Sequence, residues 1–249
     1  MFSSCNSDQA AVFWPCTKKL RPRRAVEYKF RPAQSPTRWA LAYIINESYL
    51  EFAIKSSVLD RSRLLKLHSD FIEFDDNELI SKPPTRFSKN DLVGYRYGIK
   101  RIRGYRFYIG RTYCIDIKSV EGRGIKIRMV SLYGINKRHL ESKFLAIRTA
   151  LYKTYFEDNA KGLFVKFFNG DEIQFDKLAL NSGGVLVKER NWLIPWSETG
   201  IKVYGTYFAI FSKTDPNNYI AFDYLSDWNT DILYVILKRI LINKGFCEK

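Results

Sequence analysis

The strongest constraint on the fold of this chain is a period of two in the apolar residues between positions 93 and 129. Successive side chains of a β-strand point to opposite faces of the sheet, so alternating apolar residues mark strands with one buried face. The alternation runs through 93–99, 105–117 and 125–129 and predicts three antiparallel strands. The residues predicted to be buried are Val93, Tyr95, Tyr97, Ile99, Tyr105, Phe107, Ile109, Tyr113, Ile115, Ile117, Ile125, Ile127 and Met129.

The other face of this predicted sheet is basic. Residues 94–128 contain ten Lys or Arg and two acidic residues, in a chain of 249 residues whose formal net charge is +15. This concentration favours an acidic protein, an anionic lipid surface or nucleic acid as partner. The competing interpretation is a solvated outer sheet face. The predicted binding residues on this face and its loops are Arg96, Lys100, Arg101, Arg103, Arg106, Tyr108, Arg123, Lys126 and Arg128.

The N-terminal part is predicted to be irregular and then helical. Residues 1–36 contain four prolines and the cluster KKLRPRR at 18–24, which is typical of a basic arm. From Thr37 to Ala53 the apolar residues recur at steps of three and four, as an amphipathic helix requires. The apolar stretch 39–54 is too short and too polar to span a bilayer.

The second half of the sequence predicts further hairpins between two helices. A helix is expected over about 135–157, because apolar residues recur there at helical spacing. Asn169-Gly170 is a strong signal for a hairpin turn. The last helix is expected to begin at a cap formed by Ser226 or Asp227. The predicted elements between these helices are a hairpin at 162–175, a hairpin at 177–189, and strands at 201–212 and 218–224.

The order of predicted elements occurs twice. At a constant offset of 106 residues, Asp70 matches Asp176 and Gly94 matches Gly200. We interpret these matches as two copies of one domain, the first of which has eleven more residues after Gly94. The predicted organisation is a basic arm plus helix at 1–60, a basic first domain at 61–160 and a nearly neutral second domain at 161–249.

The second copy carries a resemblance to a known family. It contains the run VLVKERNWLIPWSETGIKVYGTYFAIF, the turn TDPNN, the strand IAFDY and a terminal helix, with Ile194-Pro195-Trp196 at the end of one strand. This run resembles bacterial pleckstrin-homology-like (PH-like) domains over residues 177–243. The resemblance implies an α+β, mostly antiparallel fold with two PH-like small barrels or sheets, each closed by a C-terminal helix. It also implies a binding module, although the basic cluster of the lipid-binding members lies on an earlier loop than the KRIRG loop of this chain.

One strand of the second copy presents an apolar face. The alternate positions are Lys202, Tyr204, Thr206, Phe208 and Ile210, a set that is too apolar to be left in water. The expectation is therefore a covered surface, either between the two domains or against a partner. The residues predicted for this interface are Tyr204, Phe208 and Ile210.

Catalysis, metals and cofactors are not expected. The four cysteines are scattered without a metal-binding or disulfide spacing. The two histidines, His68 and His139, have no nucleophile at a recognisable spacing. Because the N-terminus has no basic region followed by an apolar run, a cytoplasmic location is expected, with peripheral contact to a membrane as a further expectation.

These observations predict a non-enzymatic binding or scaffolding protein. Its basic sheet face and loop in the first PH-like domain would engage an acidic protein or an anionic membrane surface. The alternative is a nucleic-acid-binding protein that uses the same surface and the N-terminal arm. Alternation assigns every tyrosine of this region except Tyr108 to the core, where a ring cannot stack on a base, and this weakens the nucleic-acid alternative. An enzyme or toxin with an unrecognised site is the third hypothesis.

Overall fold

The computed structural model describes the chain over residues 44–46, 49–56, 60–76, 83–215 and 217–246. Over these residues the fold is α+β, with mostly antiparallel strands arranged in four sheets and with three α-helices. Within these described ranges, no sheet closes into a barrel. The predicted basic arm lies outside the described residues.

The first sheet is an antiparallel meander of five strands. Residues 49–54 form its second strand, so the helix predicted from Thr37 to Ala53 is wrong there. The beginning of that predicted helix, at 37–43, lies outside the described residues. Leu50 pairs with Leu67 and Phe52 with Leu65, so pairing with the next strand decides a segment whose apolar spacing fits either structure. The strands are β1 (Ile44–Asn46), β2 (Tyr49–Ile54), β3 (Arg63–His68), β4 (Phe71–Phe74) and β5 (Thr85–Ser88).

The second sheet contains the three predicted antiparallel strands. These are β6 (Leu92–Arg103), β7 (Tyr108–Ser119) and β8 (Gly124–Leu132), in that order across the sheet. The predicted burial is confirmed in the middle of the sheet, where Tyr95, Tyr113 and Ile127 are buried. It is wrong at Val93, Tyr105 and Phe107, which are exposed.

A long helical segment follows the second sheet. It consists of α1 (Lys137–Leu151), one π-helical turn (Tyr152–Phe156) and α2 (Glu157–Phe168). The hairpin predicted at 162–175 is therefore wrong. Ala160, Leu163, Phe164 and Phe167 recur at steps of three and four and face the core, which is the helical period. Gly170, with a φ of 96°, ends the helix instead of forming a hairpin turn.

Two smaller sheets and a last helix complete the fold. The hairpin predicted at 177–189 is confirmed, whereas the strand predicted at 201–212 is two strands joined by a tight turn. The last helix begins after Asn229, so the caps predicted at Ser226 or Asp227 are wrong. The elements are β9 (Ile173–Gln174), β10 (Leu178–Leu180), β11 (Gly184–Val187), β12 (Trp192–Pro195), β13 (Thr199–Val203), β14 (Tyr207–Ser212), β15 (Tyr219–Asp223) and α3 (Thr230–Asn243).

The buried residues form one continuous core. It extends from Phe52 in the first sheet to Leu241 in α3 and includes residues of all four sheets. In each half of the chain a meander is followed by a three-stranded sheet and then by a helix. The predicted boundary between residues 160 and 161 lies inside α2.

Candidate functional site

The hairpin of β6 and β7 extends beyond the end of its sheet. The last residue of β8, Leu132, pairs with Gly110, whereas β6 and β7 continue to the pair Arg103 and Tyr108. A tight turn closes the hairpin, with the amide of Gly104 donating to the carbonyl of Phe107 at 2.7 Å. At about 3.3 Å per residue, the tip projects roughly 10 Å past β8.

Three aromatic side chains are exposed on this tip. Tyr105 is 93% exposed, Phe107 65% and Tyr108 53%. The alternation in the sequence fails here for two reasons. A bulge between Ile102 and Arg103 shifts the register, and residues 104–107 form a turn that has no pleat to orient its side chains.

Arginine side chains lie against these rings. The guanidinium carbons of Arg101 and Arg103 lie 5.3 and 5.5 Å from the centroid of Tyr108. That of Arg106 lies 5.3 Å from the centroid of Tyr105. Hydrogen bonding from Arg103, together with its charge, lowers the pKa of the Tyr108 phenol below its ordinary value. Cations over aromatic faces are mutually attractive, so the tip alternates charged and aromatic groups in a connected cluster.

The turn between β8 and α1 lies beside the base of this hairpin. The amide of Tyr133 donates to the carbonyl of Ile109 at 2.7 Å. Tyr133 is 74% exposed and Ile135 57%, and Lys137 and Arg138 follow as exposed residues. Sequence reasoning missed these residues. The available signal was Gly134 just past the strand, which indicates a turn that exposes the apolar residues on either side of it.

Together these residues form what we call the hairpin-tip patch. It contains five cations and no acidic residue, and no Asp or Glu occurs anywhere in 97–115 or 129–140. Among the described residues, none of its cations forms an ion pair with a carboxylate. The patch consists of Arg101, Arg103, Tyr105, Arg106, Phe107, Tyr108, Tyr133, Ile135, Lys137 and Arg138.

The middle of the predicted basic face is partly neutralised within the sheet. Asp116 of β7 is buried, and its carboxylate oxygens lie 3.0 Å from Arg96 Nε and 2.5 Å from Arg128 Nη2. Arg96 also donates to the carbonyl of Ser226 at 3.1 Å and lies over the ring of Trp228. Arg96 and Arg128 therefore have structural partners of their own.

The other predicted binding residues are divided between the turns and the open sheet. Arg123 pairs with Glu121 at 2.6 Å in the turn between β7 and β8. Lys100 and Lys126 are exposed, and neither forms an ion pair with any described residue. The structure thus brings together Arg101, Arg103, Arg106 and Tyr108 and leaves the remaining five outside the patch.

The predicted interface residues of the second half lie mostly in the core. Phe208 and Ile210 are fully buried, and Phe208 packs against Phe222 and Tyr234. Tyr204 is half-buried and stacks on Tyr207 across the turn of its own hairpin. The chain itself therefore covers Phe208 and Ile210, which leaves neither side chain open to a partner.

The base of the β6–β7 hairpin is fixed by the segment that leads into α3. The amide of Asn229 donates to the carbonyl of Tyr95 at 2.9 Å, and the side-chain amide of Asn229 donates to the carbonyl of Val93 at 3.0 Å. The hydroxyls of Tyr95 and Tyr97 both donate to the carboxylate of Asp231. The tip therefore projects from a strand that is held rigidly at its other end.

The ring of one predicted structural histidine lies between two aromatic rings. The ring of His68 is stacked between Tyr49 and Phe71 at centroid distances of 4.7 and 4.0 Å. No group of three His, Cys, Asp or Glu residues there could hold a metal ion. Two shallow depressions of about 260 and 330 Å³ lie elsewhere, one beside Trp228 and one beside Lys177, and no residue of the hairpin-tip patch lines either.

Comparison with protein-family models, with curated proteins and with solved structures found no match to this chain. None of its described helices is both long and apolar enough to cross a membrane.

Proposed function

We propose that this chain is a non-enzymatic binding protein and that its hairpin-tip patch engages an anionic partner. The observation that carries the proposal is the cluster of unpaired cations and exposed aromatic rings on one projecting hairpin. Exposed apolar groups of this size on a folded protein mark interaction sites. None of the five cations forms an ion pair with a described carboxylate, although Glu141 lies one helical turn after Lys137 and Arg138, and this excess gives the expected partner a negative charge.

In this proposal the binding surface lies at the hairpin tip, at the end of the sheet, and not on the open face of the sheet. The sequence predicts a broad basic face, but Arg96 and Arg128 share the carboxylate of Asp116. The single carboxylate compensates one of these two charges at short range, so the two arginines attract a partner less strongly than two unpaired cations would. Arg101, Arg103 and Arg106 are exposed and keep their charge available.

A tandem PH-like organisation is part of the proposal. Its support is the repeated order of a meander, a three-stranded sheet and a helix, together with the Ile194-Pro195-Trp196 run that resembles PH-like domains. In this proposal the hairpin-tip patch belongs to the first copy. The sequence suggests three kinds of partner, namely an acidic protein, an anionic membrane and nucleic acid. All three carry the negative charge that this proposal requires.

The test is a binding assay with three anionic probes at several salt concentrations. The probes are vesicles with and without anionic lipid, poly-glutamate and a single-stranded oligonucleotide. The variant R101E/R103E/R106E reverses three charges and should lose binding to whichever probe the wild type binds. The proposal would be abandoned if no probe bound, or if the variant bound as the wild type does.

A matched variant controls for net charge. Arg190, Lys213 and Lys238 are exposed residues of the second half, so R190E/K213E/K238E makes the same charge change away from the hairpin-tip patch. This variant should keep most of the affinity of the wild type. An equal loss in both variants would show that only the overall charge matters and would contradict a localised site.

A further inference from the structure

We infer that the partner of the hairpin-tip patch is single-stranded nucleic acid, bound through stacking of its bases on Tyr105, Phe107 and Tyr133 and through ion pairs to its phosphates. The inference rests on the proposed function and makes it specific. The chemistry required of the partner is an alternation of planar aromatic groups and negative charges. Unpaired nucleotides supply both in every repeat of the chain.

The exposed aromatic rings are the first argument. Tyr105, Phe107 and Tyr133 are each at least 65% exposed, so a planar ligand can reach these rings, at Tyr105 on the face that Arg106 does not cover. Alternation in the sequence had assigned Tyr105 and Phe107 to the core, which was the main objection to nucleic acid. Their position on the tip removes that objection.

The order of the groups argues against a bilayer. A membrane-inserting loop presents an apolar tip, with cations behind it at the depth of the headgroups. Here Arg106 lies between Tyr105 and Phe107 at the extreme end of the hairpin. Burying the tip in hydrocarbon would carry this guanidinium with it, which is unfavourable. Interleaved cations and rings fit a partner whose charges and rings are interleaved as well.

The number of rings argues against a purely acidic polypeptide. Carboxylates would satisfy the cations, but they would leave three exposed rings without a planar partner. Neither depression described above includes residues of the hairpin-tip patch, whose rings lie on an exposed turn. Without a pocket around the base edges, binding is expected to depend on stacking and charge, with little dependence on base sequence.

The deciding experiment separates stacking from hydrophobicity. The variant Y105L/F107L/Y133L keeps the charge and the apolar character of the tip but removes the flat rings. Its affinity for a labelled oligothymidylate of about 12 nucleotides should fall roughly tenfold for each ring removed. Its binding to anionic vesicles should fall much less, because the variant keeps all five cations that attract an anionic surface. Unchanged binding of the oligonucleotide would overturn the inference.

A matched variant shows whether the rings act at this site. Phe168, Tyr219 and Phe246 are 46%, 57% and 41% exposed and lie outside the hairpin-tip patch. The variant F168L/Y219L/F246L should bind the oligonucleotide as the wild type does. A comparable loss in this variant would contradict specific stacking at the tip. Circular dichroism of both variants confirms that these exposed substitutions leave the fold intact.

Salt dependence and strand number provide the second readout. If all five cations contact phosphates, the logarithm of the association constant should fall with a slope of about 3.5 against log salt, since each contact contributes roughly 0.7. The variant R101Q/R103Q/R106Q should lower this slope by about 2.

A duplex of the same length should bind at least about tenfold more weakly, because its bases are already stacked on each other. Equal affinity for the duplex would overturn the inference.

The outcomes also separate this inference from the proposed function. If the wild type binds anionic vesicles or poly-glutamate but not the oligonucleotide, and R101E/R103E/R106E abolishes that binding, the proposed function stands and the inference fails. If none of the three probes binds, both fail.

Discussion

The hydroxyl of Tyr97 donates a 2.6 Å hydrogen bond to Oδ1 of Asp231, a residue that follows it 134 positions later in the sequence. The hydroxyl of Tyr95 donates to the other carboxylate oxygen at 2.9 Å, and Arg148 Nε lies 3.6 Å from the same atom. Strand β6, helix α1 and helix α3 therefore meet at one largely buried carboxylate. This node fixes the strand from which the hairpin-tip patch projects.

The first prediction concerns this node. D231A leaves the hydroxyls of Tyr95 and Tyr97 buried without their acceptor, and this should lower the free energy of unfolding by about 2–4 kcal/mol. Urea denaturation with an unchanged m-value measures the effect. The control is D158A, which removes a carboxylate whose side chain is 70% exposed and should cost less than about 1 kcal/mol. Similar values for the two variants would contradict the structural role of Asp231.

The second prediction is a loss of stability at high pH. Burial raises the pKa of Tyr95 and of Tyr97, with the charge of Asp231 as the next cause, and burial also raises the pKa of Tyr224 to about 12. The folded protein thus holds phenol protons that the unfolded chain releases above about pH 10. The stabilisation is complete below the unfolded pKa and is lost as the pH rises through the folded values.

Each such phenol should lower the free energy of unfolding by up to about 1.4 kcal/mol per pH unit as the pH rises above the unfolded pKa of about 10. Urea midpoints between pH 9 and 11 measure the slope, where the pH range is set by the phenol pKa of about 10. In Y97F the free energy of unfolding should fall less steeply with pH than in the wild type, because one buried phenol proton is missing. The variant should be less stable than the wild type at neutral pH. Parallel slopes for the two proteins would show that the Tyr97 phenol does not stay protonated in the folded state.

The third prediction concerns two glycines in different surroundings. A Cβ at Gly98 of β6 would lie 2.7 Å from Cβ of Leu225, whereas a Cβ at Gly162 of α2 would meet no atom within 4 Å. G98A should therefore destabilise the protein by about 1–3 kcal/mol through overpacking. G162A should stabilise it by about 0.5–1 kcal/mol, because alanine has the higher helix propensity. Thermal denaturation of both variants checks the opposite signs, and a stable G98A would mean that β6 and Leu225 are not in close contact.

Parts of the fold could be predicted because local pattern and pairing agree. The strands β6, β7 and β8 alternate in sequence and also pair along most of their length, so the pattern and the structure coincide from Tyr95 to Tyr97 and from Tyr113 to Ile117. The hairpin at 177–189 has a short turn between apolar runs and was predictable for the same reason.

Other parts depend on contacts that no local pattern contains. Asn169-Gly170 is compatible with a hairpin turn and with a helix end, and the burial of Phe167 at helical spacing selects the latter. The carboxylates of Asp116 and Asp231 find their partners through sheet pairing and long-range packing. The sequence therefore indicates three cations of the hairpin-tip patch, Arg101, Arg103 and Arg106, but it misses Lys137 and Arg138 and does not show which other cations are paired.

The last prediction tests the exposure of the hairpin tip, on which both proposals depend. Tyr105 and Tyr113 have the same side chain and the same place in the sequence alternation, yet one is 93% exposed and the other fully buried. Y105A removes few contacts and should change the free energy of unfolding by less than about 0.5 kcal/mol. Y113A empties a core site and should cost about 3–5 kcal/mol, as truncation of a buried aromatic residue usually does.

Urea denaturation of the two variants under identical conditions gives the comparison. If Y105A were as destabilising as Y113A, Tyr105 would lie in the core, as alternation alone predicts, and its ring could not stack on a base. If only Y113A destabilises, the Tyr105 ring contributes nothing to folding. The ring of Tyr105 is then available for binding together with Phe107 and Tyr108, since clustered exposed apolar groups mark interaction sites.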